Sequence, residues 1–140
     1  MAYIQFPNVL FGPGTFDAVV VDNNGNPADV LEAGTPFQIK VKWSIGPLAA
    51  LLLGGQWTVS AYVESIGPGP EELVATKTVP LTGVQSYADV LTVPAGKLPN
   101  DPPPNVSAGV YKIVTVLTHR NFSKISNVAA VVEGPVLRIA

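Results

Sequence analysis

Residues 36–45 read PFQIKVKWSI, and this stretch decides the fold class. Its apolar and polar residues alternate without a break from Phe37 to Trp43. Because successive side chains of a β-strand point to opposite faces of a sheet, the pattern predicts a strand with one buried face. A helix would instead place its apolar residues three or four positions apart.

The same alternation follows in residues 56–64 (QWTVSAYVE), where the apolar positions are Trp57, Val59, Ala61 and Val63. Turn-forming Gly, Pro and Asn separate further β-rich runs at residues 3–6, 15–22, 73–81, 87–93, 108–118 and 128–139. These runs predict an all-β fold: a single two-sheet antiparallel β-sandwich of about seven to eight strands, with residues 1–140 as one domain.

Two parts of this prediction stay open at the level of sequence. In residues 108–118 both alternate sets are apolar, so the buried face is either that of Tyr111, Ile113 and Leu117 or that of the neighbouring valines. The Pro-rich residues 94–104 (PAGKLPNDPPP) predict either a crossover between sheets or an exposed spacer, because proline cannot donate to a strand ladder.

Composition excludes several classes of function. The chain of 140 residues has no cysteine, which rules out disulfides and thiolate metal sites. Its eight basic and ten acidic residues are scattered, so we expect no nucleic-acid partner. Charged residues make up 13% of the chain, about half of the usual share. We therefore expect a largely neutral surface. Either the sandwich is simply rich in Thr, Ser, Val and Pro, or its faces are covered by copies of itself or by a partner.

The first residues, MAYIQ, lack the basic and apolar regions of a secretory signal, so the chain as written is expected to be cytoplasmic. A processed protein or part of an extracellular particle remains the alternative. Residues 43–63 are uncharged and long enough to test as a membrane span. Gly46, Pro47, Gly54 and Gly55 interrupt them, so no membrane partner is expected.

Two stretches resemble the immunoglobulin and fibronectin type III superfold. Residues 21–41 (VDNNGNPADVLEAGTPFQIKV) are similar to its first strand, turn and second strand, and residues 108–117 (AGVYKIVTVL) to its penultimate strand. The resemblance implies a corner tyrosine at Tyr111 and a core tryptophan at Trp57. Ile113 stands where antibody domains have a cysteine. Such sandwiches serve many purposes, so the resemblance implies no single function.

An apolar loop, residues 45–55 (IGPLAALLLGG), stands where a polar connection is expected. It is either a short helical turn that caps one end of the sandwich or a projecting segment that docks onto a partner. In the second case Leu48, Leu51, Leu52 and Leu53 form a protein interface. A protein partner or a second copy is favoured over lipid, because no basic residue flanks the loop in the sequence.

Other candidate sites are weaker. Tyr62 and Tyr87 are expected to face outward and could bind a glycan, as aromatic platforms do. Asp22, Asn24, Asn26 and Asp29 offer oxygen ligands for calcium, but their spacing departs from helix-loop-helix calcium sites and favours an ordinary turn.

His119, the one histidine, would have to serve any Ser-His-Asp triad, and its neighbours predict instead a solvated residue in a hairpin loop. No cofactor and no metal are expected.

These observations predict a non-enzymatic interaction module, a structural or accessory subunit of a larger protein assembly that binds a protein or itself. A carbohydrate-binding module is the alternative, and a hydrolase that uses His119 is the third reading. A sugar-binding site requires clustered exposed aromatic residues, and a hydrolase requires serine or carboxylate groups around His119.

Overall fold

The computed structural model describes residues 1–66, 71–98 and 109–139. The strands are β1 (Ala2–Tyr3), β2 (Thr15–Val21), β3 (Val30–Leu31), β4 (Phe37–Ser44), β5 (Gln56–Ser65), β6 (Glu72–Pro80), β7 (Ser86–Val93), β8 (Val110–Asn121) and β9 (Lys124–Ile139). A 3-10 turn, Val9–Phe11, follows β1, and the short helix α1 (Pro47–Leu52) connects β4 to β5.

The strands form two sheets that share one core. One sheet has the order β1-β2-β4-β7 and the other β3-β9-β8-β5-β6. Every ladder among the described strands is antiparallel except that of β3 and β9, which pairs Val30 with Arg138 in parallel. The predicted all-β, two-sheet sandwich is confirmed, with this one parallel pair as a departure.

Burial follows the predicted alternation in the two central strands. β4 buries Phe37, Ile39, Val41 and Trp43, and β5 buries the positions from Trp57 to Val63 that alternate with polar residues. Each large apolar side chain removed from water contributes roughly 1.5–3 kcal/mol. The alternation therefore fixes the register, because a slip by one residue would turn these side chains to solvent.

The open question about residues 108–118 is settled by β8. Tyr111, Ile113 and Leu117 face the core, while Val114 and Val116 are half-buried on the outer face. β8 lies between β5 and β9, so neighbouring strands shield its outer face as well. Both faces can then carry apolar residues, which is why the sequence pattern was ambiguous.

Several boundaries differ from the sequence predictions. β8 continues to Asn121 and β9 begins at Lys124, so the two strands form a longer hairpin than expected. β1 covers Ala2–Tyr3, and a single bridge from Gln5 to Ala129 replaces the rest of the predicted first strand. Residue 108 and residues 99–104 of the Pro-rich connection lie outside the described part of the chain.

An aromatic cluster fills the core between the sheets. Tyr87 stacks on Trp43 with ring centroids 5.5 Å apart, and Trp57 packs edge-on against both rings. The prediction that Tyr87 faces outward is wrong. It lies in register with Trp43 across β4 and β7, on the same inner face of the sheet.

The uncharged residues 43–63 contain the end of β4, helix α1 and most of β5. No helix in the described ranges has the length and hydropathy needed to cross a bilayer.

Candidate functional site

The candidate site lies at one end of the sandwich. β4, β6 and β8 end there, and β2, β5, β7 and β9 begin there, as the strand registers show. We call this region the apolar end and define it by residues 4–14, 45–55, 81–85 and 118–128. Backbone hydrogen bonds join its loops: Leu81 N donates to Gly55 O, and Ile45 N to Gln85 O.

Helix α1 divides its side chains between core and solvent. Proline at the first helical position and the following Leu and Ala residues favour a helical turn. Ala49 and Ala50 are buried and cover the core, while Leu48, Leu51 and Leu52 are 38%, 78% and 60% exposed. The loop thus combines the two readings of its sequence, since its alanines cap the sandwich and three of its leucines face outward.

Leu53, the fourth predicted interface residue, is half-buried and packs against the core. Its amide donates to Ala49 O at 2.9 Å and closes the last turn of α1. The interface role of the four leucines stays a prediction, with Leu48, Leu51 and Leu52 the accessible members.

The 3-10 turn beside α1 adds two apolar side chains that the sequence reading missed. Val9 and Leu10 are 85% and 67% exposed, whereas Phe11 is half-buried against the core. Asn8 Oδ1 accepts a hydrogen bond from Leu10 N and holds the turn. The signal in the sequence was the apolar triplet Val9-Leu10-Phe11 between two prolines, Pro7 and Pro13.

The β8–β9 turn contributes a further pair. Phe122 is 83% exposed and has a φ of 51°, in the left-handed region that favours glycine or asparagine. Ile125, paired with Arg120 just below the turn, is also exposed. A bulky apolar residue at the tip of a two-residue turn is unfavourable both in backbone conformation and in exposure. Such a position is expected where the side chain binds something.

The charged residues of the apolar end are all positive. Among its residues, Arg120 and Lys124 are exposed cations, and no carboxylate is present in any of the four defining segments. Arg120 Nη2 donates to Ser123 O at 3.3 Å across the turn. The surface is therefore apolar in its projecting side chains and positive at one margin.

His119 lies beneath this surface, and the prediction of a solvated loop histidine is wrong. Because β8 continues to Asn121, position 119 falls on the inner face, and the ring is buried edge-on against Trp57. Nε2 lies 2.7 Å from Gly54 O and so carries the proton that it donates. Nδ1 then accepts from Ser126 Oγ, also at 2.7 Å.

This geometry ties two halves of the apolar end together. Gly54 follows α1, and Ser126 lies near the turn of the β8–β9 hairpin, so one buried ring bonds both. Ser126 Oγ also accepts from Val128 N. The histidine-serine pair is what a hydrolase would need, but a backbone carbonyl occupies the place of the triad's carboxylate.

The calcium candidate folds as a turn closed by its own carboxylate. Asp22 Oδ1 accepts from Asn24 N at 2.9 Å and from Asn26 N at 3.0 Å. The Asp22 carboxylate thus accepts hydrogen bonds from the backbone of its own turn, as in an Asx turn. Across the described ranges, no group of three or more His, Cys, Asp or Glu side chains could hold a metal ion.

The glycan candidates do not form one platform. Tyr62 is 42% exposed on the outer face of β5, next to a register shift between β5 and β6. Tyr87 is in the core of the other sheet. Among the residues that the structure describes, Tyr62 is the single exposed aromatic residue on the outer face of its sheet.

The outer face of the other sheet holds an open hollow of about 660 Å³. Its lining includes Val19, Val90, Lys40 and Lys42. It is a shallow, mixed surface without an aromatic residue in its lining.

Comparisons with known proteins give little. No protein-family model and no curated protein matches the chain. A β-glucosidase from Listeria innocua in complex with glucose superposes with a TM-score of 0.49 and 12% identity, over 86% of this chain and 16% of that chain. The same enzyme in complex with isofagomine superposes with a TM-score of 0.49 and 13% identity, over 90% of this chain and 16% of that chain. The chain thus spans about a sixth of that enzyme, and at these values the likeness supports no functional assignment.

Proposed function

We propose that this protein is a non-enzymatic interaction module, a structural or accessory subunit of a larger protein assembly that binds through its apolar end. The observation that carries the proposal is the group of outward-facing apolar side chains that α1, the 3-10 turn and the β8–β9 turn place at one end of the sandwich. Large exposed apolar patches on soluble domains mark interaction sites.

The energetics support the same reading. Fully burying one leucine contributes roughly 2 kcal/mol, so exposing Leu51 and Leu52 forgoes a substantial stabilisation that a partner would restore. Phe122 adds a second cost because its backbone is left-handed. Side chains that the monomer leaves in water at such cost are expected to be covered in the assembly.

The proposal includes an immunoglobulin-like or fibronectin type III-like topology. In its support, three strands of one sheet (β2, β4, β7) face four of the other (β9, β8, β5, β6). Trp57 is fully buried, as the resemblance implies for a core tryptophan, and Tyr111, its corner tyrosine, is fully buried as well. The absence of a catalytic role is also part of the proposal. It is supported by the partners of His119: the ring nitrogen that does not contact Ser126 bonds the Gly54 carbonyl, whereas a triad would have a carboxylate on that side of the ring.

A fluorescence experiment tests the function. The chain has no cysteine, so Leu51→Cys can be labelled at a single site with an environment-sensitive dye, with Val131→Cys on the outer face of β9 as the matched control. Adding unlabelled wild-type protein should shift the emission of the Leu51→Cys label to shorter wavelength and leave the control unchanged. No shift at either label, up to high protein concentration, would refute the proposal.

A further inference from the structure

The two ends of the sandwich differ in charge. Opposite the apolar end lies the end at which β2, β5, β7 and β9 finish, and we call it the acidic end. Its carboxylates among the described residues are Asp22, Asp29, Glu32, Glu64, Glu71 and Glu72. Its cations are Lys97, Lys112 and Arg138, so the acidic end is net negative while the apolar end carries only Arg120 and Lys124.

Two of the three cations at the acidic end are paired with carboxylates. Lys97 lies 3.6 Å from Glu72, and Lys112 lies 3.7 Å from Glu133. The acidic end also exposes apolar side chains, with Val30 at 62% and Ile66 at 57%. It therefore offers both kinds of surface that the apolar end would need in a partner, apolar contacts and carboxylates.

We infer that the partner of the apolar end is the acidic end of a second copy of this chain, joined head to tail. This inference rests on the proposed function and names its partner. Apolar side chains supply contact area, and the cations of one copy face the carboxylates of the next, which favours this orientation over others. If two apolar ends faced each other, Arg120 and Lys124 of one copy would approach the same two cations of the other copy, and neither end would supply a carboxylate.

A head-to-tail contact uses two different surfaces, so each added copy leaves one of each free. Such a heterologous contact produces a ring if its rotation closes and an open chain if it does not. Its charged component is screened by salt, so association should weaken as the salt concentration rises while the apolar component persists.

A charge-swap experiment tests the inference by light scattering. The first variant is Arg120→Glu with Lys124→Glu, which makes the apolar end negative. The second is Asp29→Lys with Glu32→Lys, which makes the acidic end positive. Lys40→Glu with Lys42→Glu, on the outer face of β4, carries the same charge change as the first variant and is its control. Circular dichroism confirms that each variant is folded.

Head-to-tail pairing predicts that each swapped variant alone has the mass of a monomer, because like charges then meet at the contact. Mixing the two in equal amounts restores the wild-type mass, because each altered end finds its complement. The control keeps the wild-type mass throughout. A small amount of the first variant added to wild type should also shorten the assembly, since it can join at only one end.

Three outcomes would overturn the inference. If the second variant alone keeps the wild-type mass, apolar ends meet each other, and the proposed function survives without the head-to-tail contact. If the equal mixture of the two swapped variants does not recover the wild-type mass, charge complementarity between the two ends is refuted. If wild type is monomeric at all concentrations but sediments with phosphatidylcholine–phosphatidylglycerol vesicles, the surface binds lipid, and the proposed function fails as well.

Discussion

Lys77 and Asp89 tie together the last strands of the two sheets, with Lys77 Nζ 2.7 Å from Asp89 Oδ1. β6 and β7 are edge strands of their sheets. Lys77 pairs with Val59 and Asp89 with Val41, so both residues lie on the inner faces of the sheets. Inward-pointing charges on edge strands oppose pairing with another chain's strand. The ion pair therefore disfavours pairing with another chain's strand on this side of the sandwich.

Asp89 should make stability depend on pH. Burial alone would raise the pKa of its carboxyl, but the hydrogen bonds from Lys77 Nζ and Val90 N, with the charge of Lys77, outweigh burial and lower the pKa below 3.8. A lowered folded-state pKa means that the stabilisation is present above the unfolded pKa of about 3.9 and is lost as pH falls through the folded value.

The measurement is the free energy of urea unfolding of wild type minus that of Asp89→Asn. Because Lys77 is half exposed, we expect a difference of about 1 kcal/mol or less at pH 7, and a smaller difference as the pH falls below the unfolded pKa of about 3.9. A difference that does not change with pH would contradict the assignment.

Gly55 should tolerate no side chain. Its φ is +89°, and a Cβ would collide with the backbone carbonyl of Arg120. Gly55→Ala is expected to cost at least about 3 kcal/mol in the free energy of unfolding, from the left-handed backbone and the collision together. Gly54→Ala is the matched control, because open space surrounds that position, and it should be near neutral. Similar denaturation midpoints for the two variants would show that β5 and β8 do not approach as described.

Phe122 should trade stability for binding. Asparagine tolerates the left-handed conformation, so Phe122→Asn is expected to raise the free energy of unfolding by about 1 kcal/mol. The same change should weaken association, because it removes an exposed apolar side chain. Stability is best compared in the Leu51→Asp, Leu52→Asp background, where association does not add to it. A variant that associates as strongly as wild type would remove Phe122 from the interface.

His119 should be a structural residue that supports the apolar end. His119→Leu leaves Gly54 O and Ser126 Oγ without their partner, and we expect a loss of about 2–3 kcal/mol in the free energy of unfolding. Ser126→Ala removes only one of the two bonds and should cost about 1 kcal/mol. Amide hydrogen exchange at Leu53 and Gly54 should accelerate more in the first variant than in the second. Equal effects would mean that the bond to Gly54 contributes nothing.

The sequence predicted the central strands because their environment is simple. β4 and β5 each bury one face, so their apolar residues alternate and their register could be derived by counting. β8 has neighbours on both sides and apolar residues on both faces, so counting could not choose between them. Tyr87 was misplaced for a related reason, since its burial depends on lying opposite Trp43 across two strands that only the fold aligns.

The candidate site was predictable only in part. The leucines of α1 stand out because they are contiguous in the sequence. Val9, Phe122 and Ile125 come from distant segments, and nothing local indicates that they meet at one end. The same holds for Arg120 and Lys124, which flank no apolar loop in the sequence but lie beside one in the fold. The burial of His119 was not predicted because β8 runs three residues further than its composition indicated.

The most direct test of the central claim, that the apolar end is an interface, is the solution mass of the wild-type chain by light scattering across a concentration series. The account predicts that the mass rises above the 14.6 kDa of one chain and that folded Leu51→Asp, Leu52→Asp protein stays at that value throughout. A wild type that remains at the mass of one chain at every concentration, beside a variant that is merely less stable, would contradict it.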